Sequence, residues 1–379
     1  MKNIRFSEPY IPTKAAELLG ACLQSGLLSG DGPFCTTSEH QIKQMVGAEH
    51  VLLTTSCTHA LELACAMVDG SLGDEILVPS FTFTSSATAI IQAGFVPVFV
   101  DVDPSTMNID PADVMKAITT RTRAIMVVHY AGVACDMAAL RAICDEHGLL
   151  LIEDAAHAFG GRWNDVALGT LGNMAAYSFH ATKNITCGEG GAFLTSSAAI
   201  AERAEIFREK GTNRKQFFRG QVDKYRWVSK GSSYVLAEPL AAMLSGSLTE
   251  FEMVQSIRRT LIERYRQRLS DSHLLPHITL PAIPSYARPA WHLQHIFLAS
   301  EKHRSSLIRF LGERGVGTAF HYVPLHTSPM GLKCGAPHRA LPVTEDVADR
   351  LLRLPLHTNV TVEDVDRIAD LITQWVREQ

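Results

Sequence analysis

Lys183 stands in Ser178-Phe179-His180-Ala181-Thr182-Lys183-Asn184, just after an apolar run and just before the glycine-rich Cys187-Gly188-Glu189-Gly190-Gly191. An amine beyond the end of a strand, beside flexible backbone, is placed to hold a carbonyl group as an imine. Asp154 follows Leu149-Leu150-Leu151-Ile152-Glu153, so its carboxylate emerges at the end of a buried strand, where an unpaired charge is costly and a cationic partner is needed. A protonated pyridine nitrogen is such a partner, and the pairing keeps the ring an effective electron sink. Thr54-Thr55-Ser56-Cys57-Thr58 leads into a helical run from His59 to Met67, offering hydroxyls and free backbone N–H groups that suit a phosphate. Singly, each feature has a plainer reading: a solvated surface lysine, a carboxylate capping the next helix, an ordinary Ser/Thr helix cap. On one sheet they form a set, with a phosphate anchor, a ring-nitrogen partner and an imine lysine. That set describes a site for pyridoxal 5'-phosphate.

Such a set needs a scaffold that brings three distant segments to one edge. From about residue 50 to 200, short apolar runs alternate with helical patterns, which predicts parallel strands joined by crossover helices. The predicted strands are Val51–Thr55, Glu75–Val78, Val96–Val100, Arg123–His129, Leu149–Glu153, Met174–Phe179 and Ala192–Thr195. Between two of them, Met137, Leu140, Ile143 and Cys144 recur at helical spacing and end at His147-Gly148, a cation and glycine suited to a helix C-terminus. The fold class is therefore α/β, a mostly parallel buried sheet with helices on both faces. Ligands of such sheets bind outside the carboxyl ends of the strands, which is where Thr54–Thr58, Asp154–His157 and Ser178–Lys183 fall.

Beyond residue 210 the texture changes. Gly211–Ser233 is polar, bears aromatic residues and is too long for a simple connection, which points to a functional loop. Leu244, Leu248, Phe251, Val254, Ile257 and Leu261 repeat at helical steps, predicting one long helix, and Pro281, Pro284 and Pro289 mark a break after it. The remainder reads as a smaller α+β unit with a strand near Leu293–Ala299, a helix near Ser305–Arg314, a strand near Ala319–Val323 and a final helix. Thr361 and Asp364 cap that helix, and Val365, Ile368, Ile372 and Trp375 line its apolar face. The expected division is a large cofactor-binding domain over residues 1–250 and a small C-terminal domain over 251–379.

Composition removes several function classes. A formal charge of −4, with Lys and Arg scattered along the chain, gives no basic field for nucleic acid. The eight cysteines include no Cys-x-x-Cys pair, so reduced and mostly buried thiols are expected and no metal is predicted. No apolar run nears the roughly 20 residues that span a bilayer. Met1 to Tyr10 has no apolar core of the signal-peptide kind, so a cytoplasmic protein is expected.

Four spaced segments then agree in order: Gly73-Asp74-Glu75 with Pro79-Ser80-Phe81-Thr82-Phe83, Glu153-Asp154-Ala155-Ala156-His157, Ser178-Phe179-His180 with Lys183, and His321-Tyr322 with Pro324-Leu325-His326. Over nearly its whole length the chain resembles the sugar-nucleotide aminotransferases of DegT type, which have the aspartate-aminotransferase-like (type I) pyridoxal-phosphate fold. The resemblance implies that Ser56, Cys57 and Thr58, helped by Ser178, hold the cofactor phosphate. It implies that Phe83 stacks on the ring, for which core packing is the plainer reading. Asp154 would pair with the pyridine nitrogen, His157 would lie near the ring hydroxyl or be merely structural, and Lys183 would be the catalytic Schiff-base lysine. Related sugar dehydratases lack that lysine. The family also presents an asparagine from the partner subunit of a homodimer to the phosphate, in a Gly-x-Asn-Tyr pattern; the matching stretch here is Gly231-Ser232-Ser233-Tyr234, where Ser233 can still donate a hydrogen bond.

A closer likeness runs through Gly211-Thr212-Asn213-Arg214, Phe217–Tyr225 and Val128–Cys135. These stretches look like those of family members that use glutamate to aminate C4 of dTDP-4-keto-6-deoxyglucose, on the way to a cell-surface polysaccharide such as enterobacterial common antigen. The likeness implies substrate contacts from Arg219, Lys224, Tyr225, His321 and Tyr322. For Arg219 and Lys224 a solvated charged loop is the other reading. Two rival functions stay open at this point: an aminotransferase for a 3-keto sugar or another nucleotide, and a catalytically silent sugar-nucleotide-binding dimer.

Overall fold

Strands buried on both faces are written as continuous aliphatic runs, and seven of them form the central sheet of the computed structural model, which describes residues 3–270, 274, 277–335 and 337–379. In chain order the strands are β1 (His50–Thr54), β2 (Glu75–Pro79), β3 (Val96–Val100), β4 (Thr122–Val128), β5 (Leu150–Asp154), the two-residue β6 (Arg162–Trp163) and β7 (Val166–Ala167), β8 (Met174–Ser178) and β9 (Gly191–Thr195). The sheet order is β1-β9-β8-β5-β4-β2-β3. Alternate residues serve opposite faces: Leu53, Leu77, Ile125, Val127 and Leu151 join one core, while Leu52, Ile76, Val78, Met126 and Ile152 join the other. Helices Pro33–Val46, Met137–His147 and Glu238–Leu248 supply buried residues to the first core, and Cys57–Ala66 and Thr84–Gln92 to the second.

The sheet is parallel from β3 to β8, but β9 runs antiparallel to both β8 and β1. The connection between β8 and β9 carries no helix, and without a crossover the chain returns alongside in the opposite sense. Because β1 is reversed twice relative to β8, Thr54, Asp154 and Ser178 all end on one edge. That is how residues 129 positions apart in sequence, Thr54 and Lys183, come to one site.

The single long helix expected over Leu244–Leu261 is two helices, Glu238–Leu248 and Phe251–Leu269. Thr249 Oγ1 donates to the Gly246 carbonyl at 2.7 Å, and Glu250 leaves helical geometry at φ −108° and ψ 16°. A local side-chain bond of this kind competes with the helical ladder. The second helix contributes Phe251 and Val254 to the large core, and Leu261, Ile262, Tyr265 and Leu269 to a separate C-terminal core that also takes Ile4.

In that C-terminal unit β10 (Ile278–Thr279), β12 (Gln294–Leu298) and β13 (Leu351–Leu354) form one antiparallel sheet, while β11 (Ala287–Arg288) pairs with β6. Ala319–Val323 is not a strand: Ala319 makes one bridge to Arg353, and the edge is filled by β13. Neighbouring side chains of a strand point to opposite faces, whereas the rings of His321 and Tyr322 stack 3.9 Å apart. The helix Val362–Arg377 carries the expected capping box, Asp364 N–H donating to Thr361 Oγ1 at 3.2 Å and Thr361 N–H to Asp364 Oδ2 at 3.1 Å. Within Gly211–Ser233 the chain forms a short helix, Arg214–Phe218, with bridges Glu209–Ser233 and Thr212–Trp227.

Candidate active site

At the carboxyl edge of the sheet, a cavity of about 640 Å³ is lined by Ser56, Cys57, Thr58, Phe83, Asp154, His157, Ser178 and Lys183, together with His321 and Tyr322 from the small unit. Ser56 caps the helix Cys57–Ala66, its Oγ accepting from His59 N–H at 3.1 Å. The remaining N–H groups of that first turn have no helical acceptor. The turn lies so close to β9 that a Cβ on Gly191 would fall 2.5 Å from Cys57 N, which explains glycine there. Thr58 Oγ1 and Ser85 Oγ lie 2.7 Å apart on the cavity wall.

Asp154 is buried. Its Oδ2 accepts from Ser86 Oγ at 2.7 Å and its Oδ1 from Ala156 N–H at 3.1 Å. Burial raises its pKa, against the lowering effects of those two donors and of Lys183. Lys183, partly accessible from the cavity, is driven the other way: burial lowers its pKa to about 8, although Cys57 and Asp154 oppose the shift. Each charge is thus incompletely compensated by the other. A positive ring nitrogen at Asp154 and a carbonyl at Lys183 would relieve both, so the donor set fits a phosphorylated pyridine aldehyde.

Of the four described histidines that line the cavity, His157, His292 and His321 are held neutral. Burial lowers the pKa of all three, reinforced in each by the nearby Lys183 and Arg353 charges. Asn184 Nδ2 donates to the Ala290 carbonyl at 2.6 Å, which leaves its Oδ1 to accept from His292 Nδ1 at 2.8 Å. The Arg353 guanidinium donates to His321 Nε2, so the His321 proton sits on Nδ1 and is directed to Tyr130 Oη at 3.2 Å. His157 lies against His292 with ring centroids 4.5 Å apart, and its buried Nδ1 has no partner among the described residues.

Phe83 is 59% exposed and lines the cavity, so in the single chain it is not a core residue. Ser233, Arg219, Lys224 and Tyr225 do not reach the Lys183 cavity. Ser233 and Arg219 line a separate cleft of about 1110 Å³, while Lys224 and Tyr225 are exposed. The larger cleft is rich in charge, but its charges answer one another: Lys215 pairs with Asp31 at 3.3 Å and Glu205 at 3.6 Å, and Arg219 pairs with Glu205. Glu39 on its wall, raised in pKa by burial as Asp154 is, has the buried Arg208 guanidinium 3.6 Å away.

Sequence reasoning passed over Ser86, His292 and Arg353. Arg353 had a legible signal, a charged residue inside Leu351-Leu352-Arg353-Leu354. Ser86 and His292 had none, because their importance rests on contacts with residues far away in the chain.

The profile of the DegT/DnrJ/EryC1/StrS aminotransferase family matches residues 9–373. The chain belongs to this family. It is 32% identical to the spore coat polysaccharide biosynthesis protein SpsC of Bacillus subtilis, over 98% of this chain and 97% of that one. Among solved structures, DesI, determined in the presence of its TDP-sugar product, is 32% identical with a TM-score of 0.87, covering 99% of this chain and 93% of its own. The aminotransferase PseC of Helicobacter pylori, involved in the biosynthesis of pseudaminic acid, is 25% identical with a TM-score of 0.92, each chain being covered fully. The protein is accordingly a sugar aminotransferase that depends on pyridoxal phosphate, with the type I fold of such enzymes. No helix among the described residues of this aminotransferase is long and apolar enough to cross a membrane.

Proposed function

We propose that the enzyme transfers the amino group of glutamate to C4 of dTDP-4-keto-6-deoxy-D-glucose. The products are 2-oxoglutarate and dTDP-4-amino-4,6-dideoxy-D-galactose, the latter destined for a cell-surface polysaccharide. The observation that carries the reading is the meeting of Lys183, Asp154 and the Ser56–Thr58 helix start in one cavity. Bound pyridoxal phosphate supplies an aldehyde that takes up the amino group and a ring that draws off electrons. Ser56, Cys57, Thr58 and Ser178 hold its phosphate, Phe83 covers its ring, Asp154 keeps its nitrogen protonated, and His157 stands near its ring hydroxyl. Lys183 carries the proton: with a pKa of about 8, its amine is shared between base and acid forms near neutral pH, as a group that both removes and returns a proton requires.

The nucleotide supplies binding energy remote from the reacting carbon. Arg219 and Lys224 suit its diphosphate, Tyr225 its base, and His321 and Tyr322 the sugar ring. Since Arg219, Lys224, Tyr225 and Ser233 lie away from their own chain's cavity, a homodimer in the cytoplasm with shared active sites is part of the proposal. Support for the nucleotide comes from DesI, whose structure holds a TDP-sugar product. Support for the pathway class comes from SpsC, a polysaccharide biosynthesis protein.

The test begins with the visible spectrum of the purified protein, which is expected to show a bound chromophore that shifts when glutamate is added. The pyridoxamine-loaded enzyme is then given dTDP-4-keto-6-deoxy-D-glucose, and the product is read by NMR. An axial amine at C4 supports the substrate assignment; an equatorial amine, or turnover only of a 3-keto sugar, overturns it.

A further inference from the structure

At the start of the helix Cys57–Ala66, His59 N–H is given to Ser56 Oγ at 3.1 Å and Ala60 N–H to the Ser56 carbonyl at 3.1 Å. The N–H groups of Cys57 and Thr58 are then the ones left for an anion, and their direction depends on how the turn Thr55–His59 is held. It is held from outside the cavity. The His59 ring lies flat on the Tyr234 ring, with centroids 4.2 Å apart and planes 10° from parallel, and His59 Nδ1 is hydrogen-bonded to Thr55 Oγ1. Thr55 N–H donates to the Tyr234 carbonyl at 3.0 Å, and Tyr234 Oη donates to Glu62 Oε2 at 2.5 Å. Residues three apart share a helix face, so Tyr234 grips His59 and Glu62 together. Burial and the Glu62 carboxylate push the Tyr234 phenol up to about 12, which keeps it a donor at neutral pH.

Tyr234 is itself fixed. Its N–H donates to the Arg208 carbonyl at 3.1 Å, Val235 bridges to Thr54, and the buried Arg208 donates through Nη1 to the Leu53 carbonyl at 2.6 Å. Neighbouring side chains of an extended segment point to opposite sides: Ser233 lines the separate cleft, and Tyr234 turns to the helix. Neither Tyr234 nor His59 lines the Lys183 cavity, yet their contacts end on Thr55, His59 and Glu62, on both sides of the Cys57 and Thr58 N–H groups. A binding group is only as well placed as the residues that support it. We propose that Tyr234 and His59 are positioning residues for the cofactor phosphate, a clasp that aims the Cys57 and Thr58 N–H groups without touching the cofactor. This assignment rests on the proposed phosphate site at Ser56–Thr58.

The test titrates the full-length protein, freed of its cofactor, with pyridoxal phosphate and with pyridoxal, which has the same ring and aldehyde but no phosphate; binding is read by absorbance. Tyr234→Ala and His59→Ala are expected to weaken pyridoxal phosphate by roughly 10-fold or more and to leave pyridoxal affinity unchanged. Tyr234→Phe, which keeps the stack and loses the Glu62 bond, should fall between these variants and the wild type. His59 is only partly buried and alanine suits a helix, so His59→Ala carries the test if Tyr234→Ala does not fold. Unchanged affinity for pyridoxal phosphate in His59→Ala overturns the clasp, as does an equal loss for both ligands, which would show a general loosening of the fold. The double variant Ser56→Ala/Thr58→Val tests the site beneath it. If that variant prefers pyridoxal phosphate over pyridoxal as strongly as the wild type does, the phosphate is held elsewhere and the clasp falls with the site. If it loses the preference while His59→Ala and Tyr234→Ala keep it, only the clasp falls.

Discussion

Ser86 Oγ donates to Asp154 Oδ2 at 2.7 Å, and Thr82 Oγ1 lies 2.8 Å behind it, so the buried carboxylate is supported by a chain of hydroxyls from the helix Thr84–Gln92 and its lead-in. That chain matters because the carboxylate must stay ionised in a place where burial favours its neutral form.

Replacing Ser86 by Ala removes one of two donors to Asp154. Hydrogen bonds to charged groups contribute about 1.5–3 kcal/mol, so Ser86→Ala should lower kcat by roughly 10- to 150-fold. Asp154→Asn, which removes the charge itself, should cost more. Steady-state rates at saturating cofactor measure both, and a Ser86→Ala enzyme with wild-type kcat would contradict the support role.

Lys183 gives a pH signature in the cofactor-free protein. Its folded-state pKa is about 8, below the ordinary lysine value of 10.5, so the unfolded chain binds more protons between those values and stability rises with pH there. Lys183→Met has no such term. Denaturant titration of the two cofactor-free proteins should show the variant more stable at pH 7, with the gap closing as pH rises from about 8 toward 10.5. A gap that is constant with pH would mean that the lysine is not held in its neutral form by burial. Lys183→Ala should also lose turnover by at least the roughly 10²–10⁴-fold that positioned acid–base catalysis provides.

Arg258 is buried, has no acid partner among the described residues, and donates through Nε to the Trp291 carbonyl at 2.9 Å and through Nη2 to the His292 carbonyl at 2.6 Å. Trp291 has φ 53°, an uncommon geometry for a bulky residue, and these bonds hold it there. Arg258→Met should destabilise the fold by about 2–4 kcal/mol, since a buried and a part-buried carbonyl lose their donor. Urea unfolding checks the stability. A response of the His292 ring NMR signals, with those of the final helix unmoved, would show that the effect is local.

The proposed sharing of active sites between two subunits is testable by mixing. Lys183→Ala and Arg219→Ala proteins, each of low activity alone, should regain part of the wild-type rate when unfolded and refolded together. In the mixed dimer one of the two cavities keeps both an intact lysine and an intact partner loop. Absence of any recovery, with a dimer verified by sedimentation, would place Arg219 outside the site.

What the sequence determined by itself was whatever depends on short stretches of chain. The central strands are legible because burial on both faces demands an unbroken aliphatic run, and the predicted and observed spans differ by no more than one residue at any end. The cap at Thr361 and Asp364 is legible because its bonds span three residues. Lys183, Asp154 and Ser56–Thr58 stand out because each lies at or shortly beyond the carboxyl end of a strand, the end that faces the ligand side. Tertiary structure alone decided the reversal of β9, the division of the helix at Thr249-Glu250 and the turn that stacks His321 on Tyr322 in place of a strand. It alone brought Phe6 and Arg353, from opposite ends of the chain, to the cavity that holds Lys183. In each case the outcome depends on which distant surface a segment packs against, and apolar periodicity records only that a face is buried, not what buries it.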